Sequence, residues 1–229
     1  MDVELRVLDD AEQASREVAA EVVGAARARG QIALAGGSTP RRAYEHAGRL
    51  ESNWRRAGLW WGDERCVPPG DERSNYRLVR EALLDRIAYP PEAVYRIRGE
   101  LSAERGAELY DTEVRGVRLD LVLLGIGPDG HTASLFPGSP ALDESERAAV
   151  AAEPGLEPYV PRVTLTPWKL AEAPLVLFLV TGEDKAEAAR RAFAGPPDRD
   201  TPASLVRSAE GRTVAILDRA AASRLEADQ

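Results

Sequence analysis

The chain has 229 residues, of which 44% are hydrophobic and 30% charged, and its formal net charge is −8. These values are typical of a globular protein. They argue against a general binder of nucleic acid or of anionic membranes, because phosphate contacts need an excess of Lys and Arg. The single cysteine, Cys66, excludes an internal disulfide and a zinc site made of cysteines. No apolar run is long enough to span a membrane, and the acidic first residues do not resemble a signal peptide, so we expect a cytoplasmic protein.

Short apolar runs alternate with helical patterns along the chain. In order, they are QIALAGG (31–37) then STPRRAYEHAGRL (38–50), LWWGDER (59–65) then NYRLVREALLDRI (75–87), SAERGAELYDTEVRG (102–116) then LDLVLLGIG (119–127), RVTLT (162–166), PLVLFLVTG (174–182) then EDKAEAARRAFAG (183–195), and TVAILD (213–218) then RAAASRL (219–225). This alternation predicts an α/β fold, Rossmann-like, with a mostly parallel sheet and helices on both faces. No clear linker divides the chain, so we expect one domain over residues 1–229, with surface loops at 155–162 and 194–202.

The segment GIGPDG, residues 125–130, matches the glycine pattern of a dinucleotide-binding turn. That fingerprint needs a strand, the glycine turn and then a long helix. Pro137 and Gly138 follow within two turns and would break such a helix. The pattern alone therefore does not indicate a dinucleotide site.

A site loop is the other interpretation of this segment. It would lie at the carboxyl end of a buried strand, where ligand sites form in parallel sheets. Asp129 and His131 would stand at its rim. Histidine titrates near neutral pH, which suits a catalytic role, although a lone histidine is more often structural. Both interpretations of His131 stay open at this point.

The segment AGGSTP, residues 35–40, ends one strand and opens a helix. Ser38 or Thr39 is expected as the N-cap and Pro40 as the first helical residue. Gly36 and Gly37 would expose backbone N–H groups, and a helix N-terminus with free N–H groups binds phosphate well. A plain capped helix after a tight turn is the alternative.

Three basic residues follow other strands. Lys185, one of only two lysines among 30 basic residues, falls in a first helical turn, where a cation is easier to explain if an anion lies nearby. Arg65 and Arg162 are candidates to hold a phosphate oxygen. Asp63 could orient a polar group or act as a base. The alternatives are ion pairs at the surface, including Lys185 with its acidic neighbours.

Five segments together resemble the 6-phosphogluconolactonase family in order and spacing, over roughly residues 30 to 190. They are AGGSTP, WWGDERCVPPGDERSNYRLVREALL, LDLVLLGIGPDGHTASLFPGSPAL, RVTLT and VTGEDKAEAARR. The resemblance implies hydrolysis of 6-phosphoglucono-1,5-lactone to 6-phosphogluconate in the pentose phosphate pathway. It also implies a fold shared with glucosamine-6-phosphate deaminases and ribose-5-phosphate isomerases, a sugar-phosphate ligand and no cofactor or metal.

The resemblance also implies positions for the substrate. It places the phosphate against Gly36, Gly37, Ser38 and Thr39, with Arg65, Arg162 and Lys185 as basic partners, and His131 beside the lactone carbonyl. His131 is then the candidate general base. Asp129 or Asp63 could fix its tautomer, and backbone N–H groups of 125–130, including those of Gly127 and Gly130, are candidate oxyanion donors.

Two other functions stay open at this stage. A sugar-phosphate isomerase or deaminase on the same fold would need a carboxylate such as Asp63 close to the C2 carbon. A sugar-phosphate sensor without catalysis is the second, although no DNA-binding module precedes the predicted first strand. The absence of a G-x-S-x-G motif disfavours a serine hydrolase of the α/β-hydrolase type. We expect a monomer or a small homo-oligomer.

Overall fold

A computed structural model describes residues 3–225 of the chain. Its strands are β1 (Val3–Leu8), β2 (Gln31–Leu34), β3 (Gly58–Trp61), β4 (Asp63–Arg65), β5 (Ala93–Val94), β6 (Leu121–Leu124), β7 (Ala149–Ala152), β8 (Arg162–Leu165), β9 (Leu175–Val180) and β10 (Arg212–Asp218). Its α-helices are α1 (Ala11–Arg27), α2 (Ser38–Leu50), α3 (Asn75–Ala82), α4 (Ala103–Val114), α5 (Pro167–Ala171), α6 (Ala186–Phe193) and α7 (Arg219–Ala222). Short 3₁₀ turns include Glu183–Lys185 and Pro202–Ser204.

Seven strands form one parallel sheet in the order β1-β10-β9-β6-β2-β3-β5. The central strands β6 and β9 are apolar throughout and almost completely buried, as expected for strands covered on both faces. The predicted α/β fold with a mostly parallel sheet is confirmed. Because all seven strands run the same way, the segments that follow β2, β3, β6 and β9 meet at one edge.

The helices cover the sheet with their small and apolar faces. In α1 the buried residues recur at helical spacing, among them Ala14, Val18 and Val22. The Asp10 side chain accepts a hydrogen bond from the Gln13 N–H and so caps this helix. The buried apolar side chains form one continuous cluster.

A second, antiparallel sheet has the order β4-β8-β7. The sequence predicted residues 59–65 as a single strand, but the chain turns at Gly62 and β4 leaves the large sheet to pair with β8. The apolar run ends at Trp61, and nothing in the charged residues 63–65 indicates which strand they pair with. This small sheet carries three of the predicted site residues, Asp63, Arg65 and Arg162.

One of the two predicted surface loops differs from expectation. Thr201 and the turn Pro202–Ser204 are completely or almost completely buried, and the Ala203 N–H donates to the carbonyl of Gly130. The prediction of a surface loop at 194–202 is therefore wrong at its end, because this segment packs beneath the glycine loop. None of the helices described between residues 3 and 225 is both long and apolar enough to cross a membrane.

Candidate active site

A cavity of about 320 Å³ opens at the carboxyl edge of the large sheet. Its walls come from the segments after β2, β3, β6 and β9 and from the small sheet. The polar residues that line it include Ser38, Thr39, Asp63, Arg65, Asn75, His131, Glu157, Arg162 and Lys185. Gly36, Gly37 and Gly127 line it as well, whereas Asp129 and Gly130 do not.

The segment after β2 presents backbone N–H groups and hydroxyls to the cavity. Helix α2 begins at Ser38, and its N-cap is Gly37, whose φ of 95° is a left-handed conformation that glycine adopts without strain. The prediction that Ser38 or Thr39 caps the helix is wrong, because no side chain caps it. Their hydroxyls remain available to a ligand at this helix N-terminus, as a phosphate site requires.

Arg65 and Arg162 lie directly opposite each other in the antiparallel pairing of β4 and β8. Like charges at directly opposed positions repel. Burial lowers the pKa of Arg162, which is 3% exposed, and the charge of Arg65 lowers it further, while Asp63 acts in the opposite direction. The buried Nε of Arg65 has no hydrogen-bond partner. An anion between the two guanidinium groups would relieve this repulsion.

Arg162 also holds the loop before β8. Its Nε and Nη2 donate to the carbonyls of Leu156, Pro158 and Val160, at 3.0–3.2 Å. The guanidinium lies 5.9 Å from the centre of the Phe136 ring. The segment 155–162 was predicted as a surface loop, and it is also a wall of the cavity, which Leu156 and Glu157 line.

Lys185 ends a 3₁₀ turn rather than lying inside the following helix. Its Nζ is 3.2 Å from Asp184, and its side chain is 21% exposed while that of Asp184 is 69% exposed. The expected pairing with an acidic neighbour is therefore present, and Lys185 nevertheless lines the cavity. Asp218 supports this turn, because both of its carboxylate oxygens lie 3.1 Å from the Gly182 nitrogen. No feature of the sequence indicated that contact.

His131 and Asp129 form a hydrogen-bonded pair in the loop after β6. The distance between His131 Nδ1 and Asp129 Oδ1 is 2.5 Å. Burial raises the pKa of Asp129, but the hydrogen bond and charge of His131 outweigh it, so this pKa lies below its usual value. Of the two acids considered as partners of His131, the structure places Asp129 against it. The imidazole also contacts the Phe136 ring, with centroids 4.6 Å apart.

Two glycines of this loop, Gly127 and Gly130, use their N–H groups in hydrogen bonds within the loop. The Gly127 N–H donates to the carbonyl of His131 and the Gly130 N–H to that of Gly127. The prediction that these two N–H groups bind substrate is not supported by their hydrogen bonds. A Cβ at Gly127 would lie 2.0 Å from His131 Nδ1, and Gly130 has a φ of 95° and packs on Thr201. Because neither glycine has a side chain, the loop that carries His131 can fold back closely on itself.

Asp63 does not contact His131. Its Oδ2 accepts a hydrogen bond from Ser134 Oγ at 2.6 Å, and its Oδ1 accepts one from Asn75 Nδ2 at 3.1 Å. Sequence reasoning missed Asn75, which is 1% exposed and lines the cavity. Its place after a serine that caps α3 is common in ordinary helices, so only the fold reveals its contact with Asp63.

The neighbouring Glu64 has a structural role. It points away from its strand neighbours Asp63 and Arg65, as alternation along a strand requires. It accepts hydrogen bonds from the N–H groups of Asn75 and Tyr76 at the start of α3. Burial raises its pKa, and those N–H groups act in the opposite direction. Within residues 3–225, no group of three or more His, Cys, Asp or Glu side chains could hold a metal ion.

The fold and the cavity together define a class: an α/β protein with a cationic pocket for a small anionic ligand and a histidine that can exchange a proton. Comparison with known proteins identifies the family. The family model of glucosamine-6-phosphate isomerases/6-phosphogluconolactonase matches residues 7–215. The chain belongs to this family.

Several relatives are named 6-phosphogluconolactonase. The 6-phosphogluconolactonase of Haemophilus influenzae is 36% identical over 199 residues, which cover 83% of this chain and 85% of that protein. The human 6-phosphogluconolactonase is 39% identical over 174 residues, covering 73% and 67%. The structure of 6-phosphogluconolactonase from Trypanosoma brucei has a TM-score of 0.88 at 30% identity, over 98% of this chain and 99% of that one. A monomeric glucosamine-6-phosphate deaminase, at 22% identity and a TM-score of 0.85, shares the fold.

Proposed function

We propose that this protein hydrolyses 6-phospho-D-glucono-1,5-lactone to 6-phospho-D-gluconate, the lactone-opening step of the oxidative pentose phosphate pathway. This substrate is the one contained in the name of the bacterial and human relatives, 6-phosphogluconolactonase. The single observation that carries the proposal for this chain is the shared cavity: the opposed Arg65 and Arg162 line the same pocket as His131, whose Nδ1 is held by Asp129 from outside the lining.

The cationic part of the cavity binds the phosphate. Arg65 and Arg162 provide two guanidinium groups, Lys185 provides an ammonium group, and residues 36–39 provide the start of α2. Charge-assisted hydrogen bonds of this kind are stronger than neutral ones. The phosphate is unchanged in the reaction, so its binding energy serves to hold the lactone carbonyl in place.

The histidine performs the chemistry. With Nδ1 engaged by Asp129, the lone pair of the neutral imidazole is on Nε2, which accepts a proton from the attacking water. The water oxygen bonds to C1 and the carbonyl oxygen becomes an oxyanion. Collapse of this intermediate breaks the bond from C1 to the ring oxygen, and the imidazolium of His131 returns its proton to that oxygen, which becomes the C5 hydroxyl. Asp129 stabilises the imidazolium that forms in between.

An isomerase or deaminase on this fold is less well supported. It would need a carboxylate ready to remove a proton from carbon, and Asp63 was the candidate. Ser134 and Asn75 hold the Asp63 carboxylate by hydrogen bonds, and the relatives that match most of this chain are named 6-phosphogluconolactonase. We therefore assign Asp63 no proton transfer.

The test is an assay of the purified protein without added metal or nucleotide. Formation of 6-phosphogluconate should exceed the spontaneous hydrolysis of the lactone, and a chelator should not reduce it. Glucosamine 6-phosphate and ribose 5-phosphate should not be converted. Loss of all activity with chelator would contradict the metal-free mechanism, and turnover of either sugar phosphate without lactone hydrolysis would contradict the proposed function.

Three further properties of the protein stay predictions. We infer one domain from the continuous core. The cytoplasmic location and the oligomeric state, a monomer or small homo-oligomer, are open to fractionation and to light scattering.

A further inference from the structure

Asp63 is a carboxylate in a cavity whose cations were assigned to a phosphate. It is 6% exposed and lines the same pocket as Arg65, Arg162 and Lys185. Among the described residues its carboxylate has hydrogen-bond donors rather than these cations as direct partners. A phosphate placed against Asp63 would be repelled. The part of the ligand that faces Asp63 must therefore be a neutral hydrogen-bond donor.

Two neutral side chains fix the position of this carboxylate. Ser134 Oγ donates to Oδ2 at 2.6 Å, and Ser134 is itself fully buried outside the cavity lining. Asn75 Nδ2 lies 3.1 Å from Oδ1 and 2.9 Å from the backbone carbonyl of Asp63. Since both of these contacts are acceptors, the nitrogen of the Asn75 amide must face Asp63.

The carboxylate retains unused acceptor capacity. Two carboxylate oxygens offer about four acceptor positions, and Ser134 and Asn75 use two of them. Asp63 is not the hydrogen-bond partner of His131, because Asp129 accepts the hydrogen bond from His131 Nδ1. A rigid, buried acceptor at the wall of a sugar-phosphate pocket has one obvious counterpart in a lactone, which is a ring hydroxyl.

We infer that Asp63 is a specificity-determining residue that accepts a hydrogen bond from one ring hydroxyl of the substrate, and that Ser134 and Asn75 are its positioning residues. This inference rests on the proposed function. The cavity then offers cations for the phosphate and, close to them on β4 and β8, a carboxylate for a hydroxyl of the ring.

The experiment is a double-mutant cycle in which one change is made in the enzyme and the other in the substrate. The kcat/KM of the wild type and of Asp63→Ala is measured with the parent lactone and with its 6-phosphate analogues that lack the hydroxyl at C2, at C3 or at C4. One analogue should be a poorer substrate of the wild type by about 10- to 150-fold, the range for a hydrogen bond to a charged group. Asp63→Ala should lower the parent's kcat/KM to a similar extent and should no longer distinguish that analogue from the parent.

Ser134→Ala tests the positioning role without altering the cavity wall, and it carries the test if Asp63→Ala does not fold. In Ser134→Ala, the logarithm of the ratio of kcat/KM between the parent and that analogue should fall to about half of its wild-type value or less. For the other two analogues, kcat/KM should change by the same factor as for the parent. Asp143→Asn, at an exposed carboxylate that pairs with Arg199 and does not line the cavity, is the matched control and should retain the full discrimination.

The outcomes separate this inference from the proposed function. If Asp63 only balances the charge of Arg162, Asp63→Ala will slow all four lactones by one common factor, and the inference is wrong. It is also wrong if no analogue differs from the parent by more than about threefold on the wild type, since a hydrogen bond to a charged group is worth more. Both results leave lactone hydrolysis by the wild type intact, whereas absence of that hydrolysis contradicts the proposed function instead.

Discussion

Asp129 Oδ1 lies 2.5 Å from Nδ1 of His131, and the same carboxylate oxygen accepts the backbone N–H of His131 at 3.1 Å. The first contact fixes which ring nitrogen carries the proton, and the second holds the turn that carries the ring. Asp129 does not line the cavity. It therefore acts on the substrate only through His131.

Replacement of Asp129 by Asn should remove the charge and keep the shape. We expect kcat to fall by about 10²–10⁴-fold, since the imidazole loses both its tautomer and the charge that stabilises its protonated form. KM should change little, because the phosphate contacts are elsewhere. Asp143→Asn, at an exposed carboxylate that pairs with Arg199, is the matched control. A rise in KM at constant kcat would mean that Asp129 acts in binding.

The pH dependence should show one ionisation on the acid side. The pKa of Asp129 lies below its usual value, so this group stays charged while imidazole side chains take up protons, between about pH 8 and 5. A protonated His131 cannot accept a proton from water, so kcat/KM should fall as the pH is lowered. Unphosphorylated gluconolactone is the control for ionisation of the substrate's own phosphate, whose second pKa is about 6. A rate that is flat down to about pH 5 would rule out this role.

Lys185→Ala should weaken binding of the phosphate. A charge-assisted contact contributes about 1.5–3 kcal/mol, so kcat/KM should fall about 10- to 150-fold, mainly through KM. The rate with unphosphorylated gluconolactone should hardly change, since the partner anion is missing. Arg118→Ala, at an exposed cation paired with Glu210, should leave both rates unchanged. Equal losses with both lactones would show that Lys185 does not bind the phosphate.

The glycine loop offers a steric test. Gly127→Ala would place a Cβ 2.0 Å from His131 Nδ1, whereas a Cβ at Gly116 meets nothing within 4 Å. We expect Gly127→Ala to lower kcat by at least about tenfold, because a misplaced base transfers the proton poorly. Gly116→Ala should retain activity. Thermal unfolding of both variants checks the fold, and a fully active Gly127→Ala would mean that the imidazole position is not critical.

Much of the fold could be predicted from the sequence because its elements are locally determined. Helix α2 was expected at 38–50 and occupies Ser38–Leu50. The runs that became β6 and β9 are continuously apolar, as buried parallel strands require. The turn at Gly62 escaped prediction because it depends on the pairing of β4 with β8, a strand far along the chain.

The site was predicted less completely, because its key relationships connect distant segments. Arg65 and Arg162 were both named, but their direct opposition depends on the pairing of β4 with β8. Asn75 acquires its contact with Asp63 only when α3 packs beside β4. The segment after Ala194 carried little signal, yet Ala203 supports the glycine loop and Asp218 supports the Lys185 turn.

The most direct test of the account is the steady-state kinetics of His131→Ala with 6-phosphogluconolactone, corrected for spontaneous hydrolysis. The account predicts a fall in kcat of about 10²–10⁴-fold with KM little altered, because His131 acts only as the proton moves. A variant that keeps the wild-type kcat, or that loses activity only through a higher KM, would contradict the assignment of His131 as the general base.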